Sequence, residues 1–151
     1  MAIQIGDKLP NFKATKHDGT AFDSQEVHHK PVVIYFYPKD FTPGCTAQAC
    51  SFRDAYQDFQ DLGAEVIGVS GDSSTSHQNF QQKYKLPFIL LSDADRKLRR
   101  LFGVPTALFG LLPGRVTYVF DAKGYCIYIF DSMSAKNHIQ KALKAIEKKG
   151  K

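Results

Sequence analysis

The feature that most constrains the fold is a run of six β-branched and aromatic residues, Val32 to Tyr37, that shows no polar alternation. A strand with one face in water alternates apolar and polar residues, whereas a strand covered on both faces is apolar throughout. Pro31 precedes the run and Pro38 ends it. The run therefore predicts a central strand with helices packed on both sides of its sheet.

The rest of the chain continues an alternation of strand and helix patterns. A turn at 17–20 predicts a small N-terminal hairpin, and 121–124 is a tight-turn signal between two later strands. The other predicted strands are 65–70, 87–91, 115–120 and 125–130, the predicted helices are 43–62, 73–84, 93–102 and 134–149, and 103–114 is a predicted loop. The pattern favours one domain, residues 1–151, built as an α/β sandwich with a mixed central sheet flanked by helices.

Two thiols, Cys45 and Cys50, lie in the first turns of the helix predicted to begin at Pro43. In an α-helix this spacing puts the Cα atoms about 8.7 Å apart, with the side chains turned about 140° from each other. A disulfide needs Cα atoms closer than about 7 Å. A bond between the two thiols would therefore require the helix between them to unwind, which points to redox catalysis with a local unfolding step.

The start of this helix also suits a reactive thiolate at Cys45, because free N–H groups and the positive end of the helix dipole stabilise an anion there. Thr42 fits the N-cap position and Pro43 the first turn. An ordinary thiol is about 3% ionised at pH 7, so full ionisation alone would accelerate its attack only about thirtyfold. For further charge stabilisation we expect the Thr42 hydroxyl and the Arg115 guanidinium near the thiol, with Pro38 shielding the sulfur from solvent.

The charge pattern does not favour a nucleic-acid partner. The net charge is +5, but much of the excess lies in two local clusters, 96–100 and 141–151, without a recognised binding motif. No run of eighteen apolar residues predicts a membrane span, and the first residues lack a signal-peptide pattern. We therefore expect a cytoplasmic protein, or a plastid one if a transit peptide has been removed.

The cysteines and histidines give no sign of a metal or a secreted disulfide framework. The chain has three cysteines, and two of them are too close on one helix to staple the fold. The five histidines are dispersed, and none has zinc-ligand spacing with the thiols. No metal and no cofactor is predicted, and Cys126 is expected to be structural.

The segment Tyr37–Thr46, with the sequence YPKDFTPGCT, resembles the active-site signature of the peroxiredoxins, which are thiol peroxidases with a thioredoxin-like fold. Its continuation through Arg53 resembles the subfamily called peroxiredoxin Q or bacterioferritin comigratory protein. Similar stretches at 6–12, 66–72, 87–93 and 114–119 extend the resemblance over nearly the whole chain. The resemblance implies a thioredoxin-like sandwich.

The resemblance also implies a role for each candidate residue. Cys45 corresponds to the cysteine that reacts with hydrogen peroxide or an alkyl hydroperoxide to give a sulfenic acid. Cys50 corresponds to the resolving cysteine, which forms an intramolecular disulfide that thioredoxin or a glutaredoxin-like dithiol protein reduces. Thr42 and Arg115 match the activating hydroxyl and guanidinium, and Pro38 the shielding proline. We expect a monomer, since no C-terminal extension carries a distal resolving cysteine.

Two other functions remain open. A protein disulfide oxidoreductase would share the fold, but such proteins separate their two thiols by two residues, whereas four residues lie between Cys45 and Cys50. A redox-responsive binding or holdase module would expose Phe52, Tyr56 and Phe59 when oxidation melts the first helix.

Overall fold

The structure, a computed structural model, describes residues 2–104, 106–107, 112–132 and 137–149. These residues form nine strands, five α-helices and a short 3₁₀ helix. In chain order they are β1 Lys13–Lys16, β2 Ala21–Asp23, the 3₁₀ helix Ser24–Val27, β3 Val32–Phe36, α1 Pro43–Asp54, α2 Tyr56–Asp61, β4 Glu65–Ser70, α3 Ser74–Tyr84, β5 Ile89–Ser92, α4 Lys97–Phe102, β6 Thr106–Ala107, β7 Leu112–Pro113, β8 Val116–Phe120, β9 Cys126–Asp131 and α5 His138–Lys149.

Seven strands form one mixed sheet in the order β2-β1-β5-β4-β3-β8-β9. β3, β4 and β5 run parallel, and β8 pairs antiparallel with β3. The N-terminal hairpin β1–β2 and the hairpin β8–β9 form the two edges. The predicted mixed α/β sandwich is confirmed, with β3 inside the sheet as its apolar sequence indicates.

Each face of β3 packs into a different core. Val32, Ile34 and Phe36 join a cluster with α4 and the N-terminal segment, whereas Val33 and Tyr35 join a cluster with α1, α2, α3 and α5. All five residues are at most 1% exposed. Burial on both faces explains why the strand has no polar alternation.

The helix predicted over 43–62 is interrupted at Ala55, where φ is −93° and ψ is 2°. Phe52 in α1 and Phe59 in α2 are fully buried, with ring centroids 5.8 Å apart. In a straight helix these two positions lie about 10.5 Å apart along the axis. The bend helps both rings to meet in one core, a tertiary requirement that the helical pattern alone does not reveal.

The outer bounds of other elements shift by a few residues. α4 begins at Lys97 rather than at Asp93, because the Asp93 carboxylate accepts the N–H groups of Leu98 and Arg99 from outside the helix. Most of the loop predicted over 103–114 and the start of the helix predicted from 134 lie outside the described residues. The single domain over 1–151 stays a prediction.

Within the described ranges, no helix is both long enough and apolar enough to cross a bilayer.

Candidate active site

Cys45 and Arg115 lie in contact beneath the protein surface. Cys45 is in the first turn of α1 and 1% exposed, and Arg115 directly precedes β8 and is 5% exposed. The Nη2 atom of Arg115 donates to the Sγ atom of Cys45 over 3.4 Å. A guanidinium beside a buried sulfur stabilises a thiolate, and it acts strongly because little water screens the pair.

The pairing of β3 with β8 explains how two residues seventy positions apart meet. The antiparallel register places Phe36, the last residue of β3, opposite Val116, the first of β8. The chain leaves β3 toward α1 at the same end of the strand pair at which Arg115 leads into β8. The structure thus brings the Arg115 guanidinium to the Cys45 sulfur.

Gln48 is a member of the site that sequence reasoning left without a role. It is 1% exposed, and its Oε1 atom accepts a short hydrogen bond from Nη1 of Arg115. Because Oε1 faces the guanidinium, the amide nitrogen Nε2 points elsewhere, and it has no hydrogen-bond partner among the described residues. The spacing of three residues from Cys45 puts both side chains on one face of α1, and this was the available signal.

The surroundings of the sulfur are apolar and aromatic. Tyr35 is fully buried and stacks on Phe52, with ring centroids 4.4 Å apart. Burial, followed by the negative charge of Cys45, raises the pKa of the Tyr35 hydroxyl well above its ordinary value. Tyr35 therefore stays neutral and contributes a low-dielectric wall to the site.

The other three predicted site residues lie close by along the chain. Cys50 is half-buried on α1, and neither it nor Cys45 forms a disulfide in this structure. Thr42 occupies the N-cap position as predicted, but its hydroxyl donates to the carbonyl oxygen of Lys39 over 2.9 Å and does not cap the helix. Pro38 is half-buried and lines, with Arg99, a cavity of about 240 Å³.

A buried polar cluster fixes the loop between β3 and α1. The Asp40 carboxylate accepts from Tyr37 Oη over 2.6 Å and from Ser76 Oγ over 2.9 Å, and it lies 2.7 Å from Nδ1 of His77. Nε2 of His77 lies 2.9 Å from the carbonyl oxygen of Leu91, which can only accept, so Nε2 carries a proton. The loop that leads to Cys45 is thus tied to α3, and no pattern in the sequence predicted this pairing.

Asp40, Asp72 and His77 are also a group whose geometry would suit a metal, since their ligand atoms lie within 4.8 Å of one another. Hydrogen bonds already account for the group. The carboxylate of Asp72 accepts from the Asp40 N–H over 2.8 Å and from Ser70 Oγ over 2.5 Å. We interpret the cluster as a structural clamp.

Known proteins resemble this chain over nearly its whole length. Residues 5–129 match the profile of the AhpC/TSA family. A chloroplastic peroxiredoxin Q from Oryza sativa subsp. japonica is 51% identical over 146 residues, which cover 96% of this chain and 67% of the relative. The chain therefore belongs to the AhpC/TSA family, on its peroxiredoxin Q branch.

Solved structures of peroxiredoxins superimpose closely on this chain. Peroxidoxin BcpB from Mycobacterium tuberculosis superimposes with a TM-score of 0.88 at 32% identity, covering 97% of each chain. The bacterioferritin comigratory protein of Xanthomonas campestris, described with an alkyl peroxide reduction activity, gives 0.85 at 30% identity over 93% of this chain and 92% of the other. The predictions of a thioredoxin-like fold and of a thiol-dependent peroxidase are confirmed, and neither the disulfide oxidoreductase nor the holdase is favoured.

Proposed function

We propose that Cys45 is the peroxidatic cysteine of this peroxidase and that Arg115 activates it. The observation that carries the proposal is the 3.4 Å contact between Arg115 Nη2 and Cys45 Sγ in a site where both residues are buried. A planar guanidinium has several donors in one plane, so it can hold the thiolate and a peroxide oxygen together. Gln48 keeps the guanidinium in this orientation through its hydrogen bond to Nη1.

The proposed chemistry begins with attack of the Cys45 thiolate on one oxygen of a hydroperoxide. An S–O bond forms to the oxygen that carries hydrogen and the O–O bond breaks, which gives a sulfenic acid on Cys45. The other oxygen leaves as hydroxide or alkoxide and takes up from water the proton that the thiol released, so that it becomes water or an alcohol. Thr42 supports this step, because its hydroxyl donates to Lys39 and keeps its lone pairs for the proton of a hydroperoxide. The Arg115 guanidinium stabilises the charge that develops on the oxygens.

In the second step the Cys50 thiol attacks the Cys45 sulfur, an S–S bond forms and the S–O bond breaks, and the hydroxyl group leaves as water with the proton of the thiol. Both thiols lie on α1, with Cys45 buried, and helical spacing holds their Cα atoms about 8.7 Å apart. The first turns of α1 must therefore unwind before the bond forms. Thioredoxin or a glutaredoxin-like dithiol protein then reduces the disulfide by thiol exchange.

Further aspects of the proposal concern partners and location. We propose a monomer that binds no nucleic acid, in keeping with an intramolecular disulfide. The chloroplastic names of the relatives support the plastid alternative to the cytoplasm. Cell fractionation followed by immunoblotting decides between the two compartments.

The experiment that tests the two cysteines treats the reduced protein with one equivalent of hydrogen peroxide and maps the sulfur linkages by mass spectrometry. We expect a Cys45–Cys50 disulfide within one chain. Cys45→Ser should abolish peroxide consumption, and Cys50→Ser should allow one round of sulfenic acid formation on Cys45. Cys126→Ser is the matched control and should keep full turnover. Undiminished activity of Cys45→Ser would rule the proposal out.

A further inference from the structure

Arg99 carries a buried guanidinium whose hydrogen bonds, within the described part of the chain, go to main-chain carbonyl groups. The residue is 8% exposed, and its guanidinium carbon lies 5.7 Å from the ring centroid of Phe36. Nη2 donates to the carbonyl oxygen of Tyr37 over 2.8 Å, and Nη1 to that of Gly114 over 3.1 Å. Burial lowers the pKa of this guanidinium, which reflects the free-energy penalty of keeping its charge away from water.

The two carbonyl groups lie just before the two segments that form the active site. One segment leads to Cys45, and the other begins with Arg115. The Tyr37 carbonyl is the last main-chain group before Pro38, where the chain turns from β3 toward Cys45. The Gly114 carbonyl belongs to the peptide unit that ends in the nitrogen of Arg115. One rigid, planar guanidinium therefore fixes the backbone that carries the sulfur relative to the backbone that carries its cation.

The main-chain hydrogen bonds of the sheet do not connect these two segments. The ladder between β3 and β8 ends with Phe36 opposite Val116, and the N–H of Tyr37 turns away to donate to the Val69 carbonyl in β4 over 3.0 Å. Continuing the register would put Pro38 opposite Gly114, but proline has no N–H to donate. Arg99 supplies to the Gly114 carbonyl the donor that the main chain lacks at this position.

We propose that Arg99 is a positioning residue of the peroxidase reaction, which holds Arg115 at its contact with Cys45 by bridging the Tyr37 and Gly114 carbonyl groups. The inference rests on the proposed roles of Cys45 and Arg115. Arg99 touches neither the sulfur nor the substrate in this scheme, and its role there is the placement of Arg115.

The informative substitution is Arg99→Lys, because lysine keeps the charge but presents it as a point on a flexible stem and cannot fork across two carbonyl groups. Misplacement of a reacting group by about 1 Å lowers a rate about a hundredfold. We expect Arg99→Lys to lower the second-order rate constant for oxidation of Cys45 by hydrogen peroxide by about 30-fold. The rate is measured by trapping the sulfenic acid in a Cys50→Ser background.

A double-mutant cycle with Arg115→Lys separates positioning from a general effect on the fold. If Arg99 acts through Arg115, Arg99→Lys slows the parent about 30-fold but slows the Arg115→Lys protein less than about threefold. A purely structural role would slow both proteins by the same factor. Arg100→Lys is the matched control, since Arg100 is the next residue of α4 and is exposed, and its rate should equal that of the parent.

Equal slowing in both backgrounds, or no slowing of the parent by Arg99→Lys, would overturn the inference. If Arg99→Lys does not fold, Arg99→Gln replaces it in the same cycle; failure of both to fold would assign Arg99 to the fold and also overturn it. If Arg115→Lys itself reacts as fast as the parent, the proposed role of Arg115 is what fails, and the two failures are thereby distinguished.

Discussion

The α-carbon of Gly44 faces the guanidinium of Arg115 so closely that a Cβ atom on it would lie 3.2 Å from Nη2. The same Nη2 atom contacts the sulfur of Cys45, the next residue in the chain. A glycine at this point of α1 therefore leaves room for the cation beside the sulfur. The main chain at position 44 does not require glycine, since Gly44 is not among the described residues with positive φ.

Gly44→Ala should therefore impair the reaction without destabilising the protein. The new methyl group pushes against the end of a flexible side chain and moves the guanidinium from the sulfur, while alanine favours the helix by up to about 1 kcal/mol. We expect the rate constant of Cys45 with hydrogen peroxide to fall about tenfold, with an unchanged or higher urea midpoint. An unchanged rate constant, or a lower urea midpoint, would contradict this account.

Much of the chain around Cys45 could be predicted because its signals are local. The apolar run of β3, the cap position of Thr42 and the first-turn placement of Cys45 depend on neighbours in sequence. Thr42 is the N-cap residue, as predicted, but its hydroxyl donates to the Lys39 carbonyl, which lies within reach in the folded loop.

The remainder of the site depends on which elements become neighbours in space. Asp40 meets His77 only because α3 packs beside the loop after β3, and Arg99 reaches Gly114 because α4 lies at the end of the β3–β8 pair. Neither contact leaves a periodic pattern. Arg115 was found from the sequence by a chemical requirement for a cation, and no comparable requirement singles out a residue that acts through another.

A second glycine, Gly68 in β4, is predicted to matter for the stability of the protein. A Cβ atom there would lie 2.9 Å from Cδ2 of Leu90 and from Cζ of Tyr35, both fully buried. Overpacking of this kind costs about 1–3 kcal/mol, so Gly68→Ala should lower the free energy of unfolding by that amount in urea titration. Gly71→Ala is the control, since its nearest contact is 3.7 Å away, and an equal loss in both variants would refute the packing argument.

The clamp between Asp40 and His77 is predicted to contribute several kcal/mol to the free energy of unfolding. Their side chains are 1% and 0% exposed, so Asp40→Asn removes the carboxylate that the buried Tyr37 and His77 and the half-buried Ser76 share. Breaking one partner of a buried pair costs about 3 kcal/mol or more. Urea unfolding should show this loss, whereas Asp54→Asn, whose side chain is 71% exposed, should change stability by less than about 0.5 kcal/mol. Similar losses in the two variants would mean that the buried cluster contributes no more to the free energy of unfolding than an exposed carboxylate does.

Cys126 is predicted to make the protein less stable in alkali. The thiol is 1% exposed, and burial raises its pKa from 9.0 to about 11. The unfolded chain releases this proton near pH 9, whereas the folded protein keeps it until about pH 11. Between these values the unfolded state binds fewer protons, so the contribution of Cys126 to stability is intact below pH 9 and is lost as the pH rises.

Cys126→Ala should therefore flatten the fall of the unfolding free energy between pH 9 and pH 11. The difference in slope from the parent has an upper limit of about 1.4 kcal/mol per pH unit, which corresponds to one proton. Burial also raises the pKa of Tyr56, to about 12, but this residue titrates alike in both proteins and cancels in the comparison. Urea titrations at several pH values measure the slopes, and parallel curves for the two proteins would show that the Cys126 thiol does not resist ionisation in the fold.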